Sequence, residues 1–148
     1  MLIIRDFQAG DRAAYLAMSR DFYAGPATLH PVDEANFAAT FDAALARSPF
    51  LRALALECEG ALVGYMLLSF TWSNEVGGLC VLLEEIYIKQ EARGAHLGSQ
   101  CITWLLDTYR ARAKRFRLEV SPDNGAVAGL YARFGFAPLT YSQMVLDV

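Results

Sequence analysis

Arg93-Gly94-Ala95-His96-Leu97-Gly98-Ser99 follows an apolar strand pattern directly and opens an amphipathic helix. A strand that runs through small residues into a helix N-terminus presents a concave set of backbone N–H groups, and the helix dipole adds partial positive charge there. The stretch therefore reads as an anion cradle suited to phosphate. Just upstream, Leu79 to Ile88 is almost continuously apolar, the pattern of a strand buried on both faces and expected mid-sheet. Downstream, a helix is expected from Leu97 to about Ala113, burying Leu97, Cys101, Trp104, Leu105 and Thr108.

Outward from this centre the chain alternates short strands and helices without repeats or low-complexity linkers. Leu2 to Arg5 reads as a first strand. Asp11 to Tyr23 carries Ala14, Tyr15, Met18 and Phe22 at helical spacing, and Asp33 to Ala46 carries Phe37, Phe41 and Leu45 four apart. The intervening Ala24 to Pro31, with Gly25, Pro26 and Pro31, reads as a loop. Arg52 to Glu57 and Leu62 to Trp72 read as hairpin strands, with a turn at Asn74 to Gly78 before the apolar strand. A further strand is expected at Arg117 to Val120. Asp123 or Asn124 then caps a helix with Val127, Leu130, Tyr131 and Phe134 on one face, stopped by Gly135. Pro138 to Val148 is expected to close the chain as one or two strands.

Composition bounds what this arrangement can do. With 148 residues, 55% of them apolar and 20% charged, one globular domain spanning residues 1–148 is expected, with a core able to fold alone. No apolar run approaches a membrane span, and the N-terminus lacks a basic, cleavable leader, so no membrane association and a cytoplasmic location are expected. Cys58, Cys80 and Cys101 form no CxxC pair and read as buried free thiols. His30 and His96 are too few to build a metal site, so none is expected. A net charge of −3 argues against a broad nucleic-acid surface, and the basic cluster from Arg110 to Arg117 reads as a solvated helix end. The apolar content covers either a full core or, in addition, a patch for a second copy in a homodimer.

The element order and three motifs resemble the GNAT superfamily of acyl-CoA-dependent N-acyltransferases over nearly the whole chain. The superfamily's Arg/Gln-x-x-Gly-x-Gly/Ala loop falls on Arg93 to Gly98, with His96 in place of the first glycine. Its Asn-x-x-Ala-x-x-Leu-Tyr motif falls on Asn124 to Tyr131, with Val127 in place of the alanine, and Gly135-Phe136 follows. Glu85-Ile86-Tyr87-Ile88 is similar to the end of the central strand. The resemblance implies a GNAT-type α/β (α+β) fold: a mixed, mostly antiparallel central sheet flanked by about four helices. It implies transfer of an acetyl group from acetyl-CoA to a primary amine of a small molecule or peptide, by direct attack in a ternary complex.

The same resemblance implies roles for single residues. Gly94, Ala95, His96, Leu97, Gly98 and Ser99 would face the pyrophosphate, with Arg93 beside them, and His96 is expected in ordinary helical geometry. Ile86, Tyr87 and Ile88 would offer their backbone to pantetheine as an added strand. Tyr131 would protonate the departing thiolate, and Asn124 would cap its helix, bind the cofactor, or both. Strand alternation sets Glu84 and Glu85 on opposite faces, one toward a cleft. The polyamine acetyltransferase branch puts Glu84 ahead of Glu85 as a base acting through water. Phe22, Tyr23, His30, Ser73, Asn74, Glu75 and Tyr141 are the polar or aromatic residues offered to the acceptor side. Two other classes stay open: a catalytically silent acyl-CoA sensor, and an interaction domain without a cofactor.

Overall fold

The structure, a computed structural model, describes residues 1–148. Its elements are β1 (Leu2–Asp6), α1 (Arg12–Tyr23), α2 (Glu34–Leu45), β2 (Leu51–Cys58), β3 (Ala61–Ser73), β4 (Gly78–Ile88), α3 (Leu97–Tyr109), β5 (Ala113–Leu118) and α4 (Gly125–Arg133). The strands form one five-stranded sheet in chain order. β1 to β4 pair antiparallel, and β5 returns parallel to β4 after the α3 crossover. No helix is long and apolar enough to cross a membrane.

Two-residue alternation divides the core between the two faces of this sheet. On β2, Leu54 and Leu56 join Met66, Leu68, Val81 and Leu83 beneath α3 and α4, with Cys101, Ile102, Leu105 and Tyr131 closing the cluster. On the opposite face Ala53 and Ala55 leave room for Tyr15, Phe37 and Phe41 from α1 and α2, which pack against Tyr65 and Tyr87. Small residues on β2 thus make space for large rings on the helices, so both faces reach close packing. Asp33 caps α2 by accepting the Ala35 N–H at 2.9 Å.

Several expectations need correction. β4 is interior but lies next to the β5 edge, and β3 holds the middle of the sheet. α3 stops at Tyr109, its last buried residue, and the expected burial of Trp104 and Thr108 is only partial because the buried stripe drifts toward Ile102 and Tyr109. The basic cluster is not a helix end: Ala113 already pairs with Leu79, so the strand expected at Arg117 to Val120 runs instead from Ala113 to Leu118. Cys80 and Cys101 are buried, whereas Cys58, at the end of β2, is half-exposed. Pro138 to Val148 forms no strand, and the sheet ends at β5. That segment leaves Met144, Val145 and Leu146 exposed, and Gln143 donates to Glu119 at 2.6 Å.

Candidate functional site

The candidate site lies where β4 outruns its neighbour β5. β5 pairs with β4 only from Leu79↔Ala113 to Leu83↔Leu118. From Glu84 to Ile88, β4 keeps β3 on one side and has no strand on the other. The Ile86-Tyr87-Ile88 backbone therefore borders an open edge, able to accept an extended amide-bearing ligand. Gly64 on β3 sits opposite Ile88, and a Cβ there would lie 2.2 Å from the Tyr87 carbonyl oxygen. Its missing side chain lets β3 hold this part of β4 closely.

The splay coincides with a β-bulge. Leu67 pairs with Glu85 and Leu68 with Leu83, leaving Glu84 as the extra residue. A bulge breaks alternation, so the expectation that Glu84 and Glu85 face opposite ways is corrected. Glu84 is exposed and accepts from Ser69 Oγ at 2.6 Å, and Ser69 alternates with Leu68, which packs on the α3 face. Glu84 is therefore turned toward α1 and α2. Glu85 lies on that side as well, accepting from Tyr65 Oη at 2.7 Å on Oε2 and from Tyr23 Oη on Oε1. Burial raises the Glu85 carboxyl above the ordinary range, the two phenol hydrogen bonds oppose that rise, and the Glu84 charge adds to it.

Beyond Ile88 the chain turns through Gly94 (φ +86°) and His96 (φ +57°) into α3. His96 is thus left-handed rather than helical, occupying the backbone geometry that glycine adopts without strain. The backbone N–H groups from Gly94 through Ser99 have no protein partner, the first intrahelical bond being Gln100 N–H to the His96 carbonyl at 3.2 Å. They are a run of unpaired backbone donors at the N-terminus of α3. The imidazole is exposed and makes no hydrogen bond, beside a shallow groove along Ser99, Gln100, Thr103 and Trp104. Arg93 donates to the Ile88 carbonyl at 2.9 Å, tying the loop to the end of β4. His96→Gly is expected to raise stability by about 0.5–1 kcal/mol, the relief of a left-handed residue minus the added entropy of an unfolded glycine. A urea denaturation series reads this as a higher midpoint at unchanged slope, and a lower midpoint contradicts it.

α4 approaches from the other side of the splay. It ends in a Schellman arrangement: Phe136 N–H donates to the Tyr131 carbonyl at 3.2 Å, Gly135 N–H donates to Ala132 at 3.0 Å, and Gly135 takes φ +89°. Tyr131 is buried against the α3 cluster, with its ring 6.0 Å from Phe136. Its hydroxyl has no protein partner, yet no buried side-chain polar atom in the chain goes unpaired, so Tyr131 Oη lies where solvent or ligand reaches it. Burial of the ring raises its pKa, which keeps the phenol protonated. Asn124 precedes α4 without a side-chain cap, so its expected capping role is corrected and its amide is left for other partners.

The acceptor-side residues divide sharply. Phe22 and Tyr23 stand at the end of α1 with their rings 5.1 Å apart, Tyr23 touching Glu85. His30 is exposed on the loop that follows. Ser73, Asn74 and Glu75 sit at the β3–β4 turn, roughly 20 Å along the strand from Glu85 at ~3.3 Å per residue, and Glu75 accepts from Arg115 at 3.1 Å. Tyr141 is exposed on the C-terminal segment. Ser73, Asn74 and Glu75 are therefore not brought to the Glu85 end of the sheet. Tyr65 and Asp21 are there instead and are not singled out by sequence, and Tyr87, expected to offer its backbone, brings its phenol there as well. Tyr87 Oη donates to Asp21 Oδ2, and Tyr65 and Tyr87 stack at 5.7 Å. Tyr65 faces Tyr87 only through the β3–β4 register, a non-local pairing that no local sequence signal announces.

Comparison with known proteins places this geometry. Residues 13–136 match the acetyltransferase (GNAT) family. The chain is 31% identical over 139 residues to an L-methionine sulfoximine/L-methionine sulfone acetyltransferase of Pseudomonas paraeruginosa, covering 90% of this chain and 78% of that one. Among solved structures, a possible acetyltransferase from Clostridium difficile superposes with a TM-score of 0.83 at 13% identity, over 100% of this chain and 98% of the other. A predicted acetyltransferase from Clostridium acetobutylicum, in a structure with acetyl-CoA, gives 0.76 at 15% identity over 99% and 96%.

Proposed function

The chain belongs to the GNAT acetyltransferase family, and from that premise we propose how its own residues carry N-acetyl transfer and which amine they serve. The observation that carries the reading is the convergence at one end of β4: an open strand edge, a row of free backbone donors and a half-buried carboxylate held by two phenols. Acetyl-CoA, the donor the family uses, supplies the thioester. In this reading the N–H groups from Gly94 through Ser99 hold its pyrophosphate, and the Ile86-Tyr87-Ile88 backbone pairs with its amides. The left-handed turn at His96 aims the donors without bringing the imidazole between them.

Glu85, rather than Glu84, is the base in this proposal. An amine must lose a proton to attack, and a carboxylate whose pKa is raised by burial takes that proton more readily than a fully solvated one. The nitrogen then forms its bond to the acetyl carbon, and the carbon–sulfur bond breaks. Tyr131 Oη delivers a proton to the departing sulfur. Positioning both reactants across the splay supplies a further large part of the rate.

The acceptor is proposed to be the primary amine of a small molecule. Glu84, Glu85 and Asp21 give the α1–α2 side a negative field that attracts an ammonium group. The relatives named for L-methionine sulfoximine and L-methionine sulfone support a small acceptor. A thiol-release assay with acetyl-CoA against amino-acid derivatives, polyamines, aminoglycosides and N-terminal peptides tests this. Turnover is expected with small amines, and activity confined to peptides contradicts it.

A further inference from the structure

Glu85 is gripped by two phenols that differ in kind. Tyr23 is the last residue of α1 and half-exposed, its ring stacked on Phe37 at 5.1 Å beside the loop that begins at Ala24. Tyr65 is completely buried in the middle strand, wedged edge-on against Tyr15 at 5.1 Å and stacked on Tyr87 at 5.7 Å. Its hydroxyl accepts from Ser19 Oγ at 3.4 Å and donates to Glu85 Oε2 at 2.7 Å. Ser19 is itself fully buried on α1, a polar group at a core position. The chain Ser19, Tyr65, Glu85 therefore runs from the helix core to the half-buried carboxylate without an exposed member.

We infer that Tyr65 is a positioning residue for acetyl transfer: by donating to Oε2 from a fully buried ring it locks the Glu85 carboxylate and leaves Oε1, held only by the half-exposed Tyr23, as the oxygen that meets the acceptor. The inference rests on the reading of Glu85 as the base. A phenol that donates to a carboxylate favours its ionised form, so Tyr65 also sets the pH at which Glu85 becomes available. The other groups around the carboxylate are Tyr23, Asp21 and Ser19 on α1, Tyr15 beyond Ser19, Thr40 on α2 near Tyr15, Ser69 on β3, and Glu84 and Tyr87 on β4. No lysine or arginine is among them, and the nearby Arg93 is engaged with the Ile88 carbonyl. The phenols are thus the groups that oppose the effect of burial on Glu85.

The test is the pH dependence of kcat for Tyr65→Phe, which keeps the ring and removes the donor. Losing one hydrogen bond to a charged group is expected to move the acid limb upward by about 1 pH unit. A drop in kcat of roughly 10-fold is expected with it, while the Kd for acetyl-CoA stays within about twofold. Tyr109→Phe strips a buried hydroxyl from the opposite face, where it accepts from Arg52, and is expected to leave the limb in place. Ser19→Ala weakens the same chain one step back and should move the limb in the same direction by less. It keeps the question answerable if Tyr65→Phe does not fold. A limb unmoved in the folded variants overturns the inference, as does an equal movement in Tyr109→Phe. Glu85→Gln separates the two levels. If it abolishes the limb while the Tyr65 and Ser19 variants leave it alone, only the positioning role fails; if it leaves the limb intact, the base assignment fails and the inference with it.

Discussion

Glu85→Gln is expected to lower kcat by roughly 10²–10⁴-fold, the usual contribution of a positioned acid or base, while acetyl-CoA binds as before. Glutamine keeps the volume and one acceptor oxygen for Tyr65 but cannot take a proton from the acceptor. Glu84→Gln provides the contrast. Glu84 is exposed at the bulge and bonded only to Ser69, so its loss is expected to change kcat by a few-fold at most. The sign of the pH dependence follows from burial. The Glu85 carboxyl is raised above the ordinary glutamate value of about 4.3, and a base works only when ionised. The rate therefore falls as pH drops through that raised value, and the acid limb disappears in Glu85→Gln. Steady-state kinetics of both variants from pH 5 to 9 settle the assignment, because a large loss in Glu84→Gln with Glu85→Gln near wild type reverses it.

Tyr131→Phe is expected to lower kcat by roughly 10²-fold with little change in affinity for acetyl-CoA. The ring packs beside Phe136 and the α3 cluster, contacts that phenylalanine retains. Only the hydroxyl is lost, and that hydroxyl has no protein partner to leave behind. Because burial raises its pKa above the usual 10.0, the phenol holds its proton through the assay range, the state a general acid needs. Stopped-flow or steady-state thiol release, paired with calorimetry of acetyl-CoA binding, checks both halves. Turnover equal to wild type across the pH range removes Tyr131 from catalysis.

Much of this arrangement was legible in the residues because it rests on local rules. Leu54 and Leu56 against Ala53 and Ala55 give the two faces of β2 by alternation alone, and Phe37 and Phe41 mark the buried side of α2. Gly135 ends α4 through its positive φ, as its place after Phe134 implies. What escaped were features set by non-local pairing. The Glu84 bulge is a register shift between β3 and β4, and nothing in Leu83-Glu84-Glu85-Ile86 announces it. It decides which way two carboxylates point. The basic run from Arg110 to Arg117 reads as helical charge until parallel pairing with β4 claims Ala113 to Leu118. Tyr65 reads as ordinary core, since only its partner across space turns a buried phenol into a ligand of Glu85. Pro138 to Val148 has apolar residues at strand-like spacing but pairs with no strand.

The claim beneath all of this is that main-chain donors after β4 grip a diphosphate while the splayed edge holds the rest of the donor molecule. Titrating acetyl-CoA into isotope-labelled protein and following its amide resonances tests that claim residue by residue. The account predicts saturable shifts concentrated at Gly94 through Ser99 and at Ile86 through Ile88, with His96→Gly retaining the pattern. Shifts confined to the groove along Thr103 and Trp104, or no saturation at millimolar ligand, would contradict it.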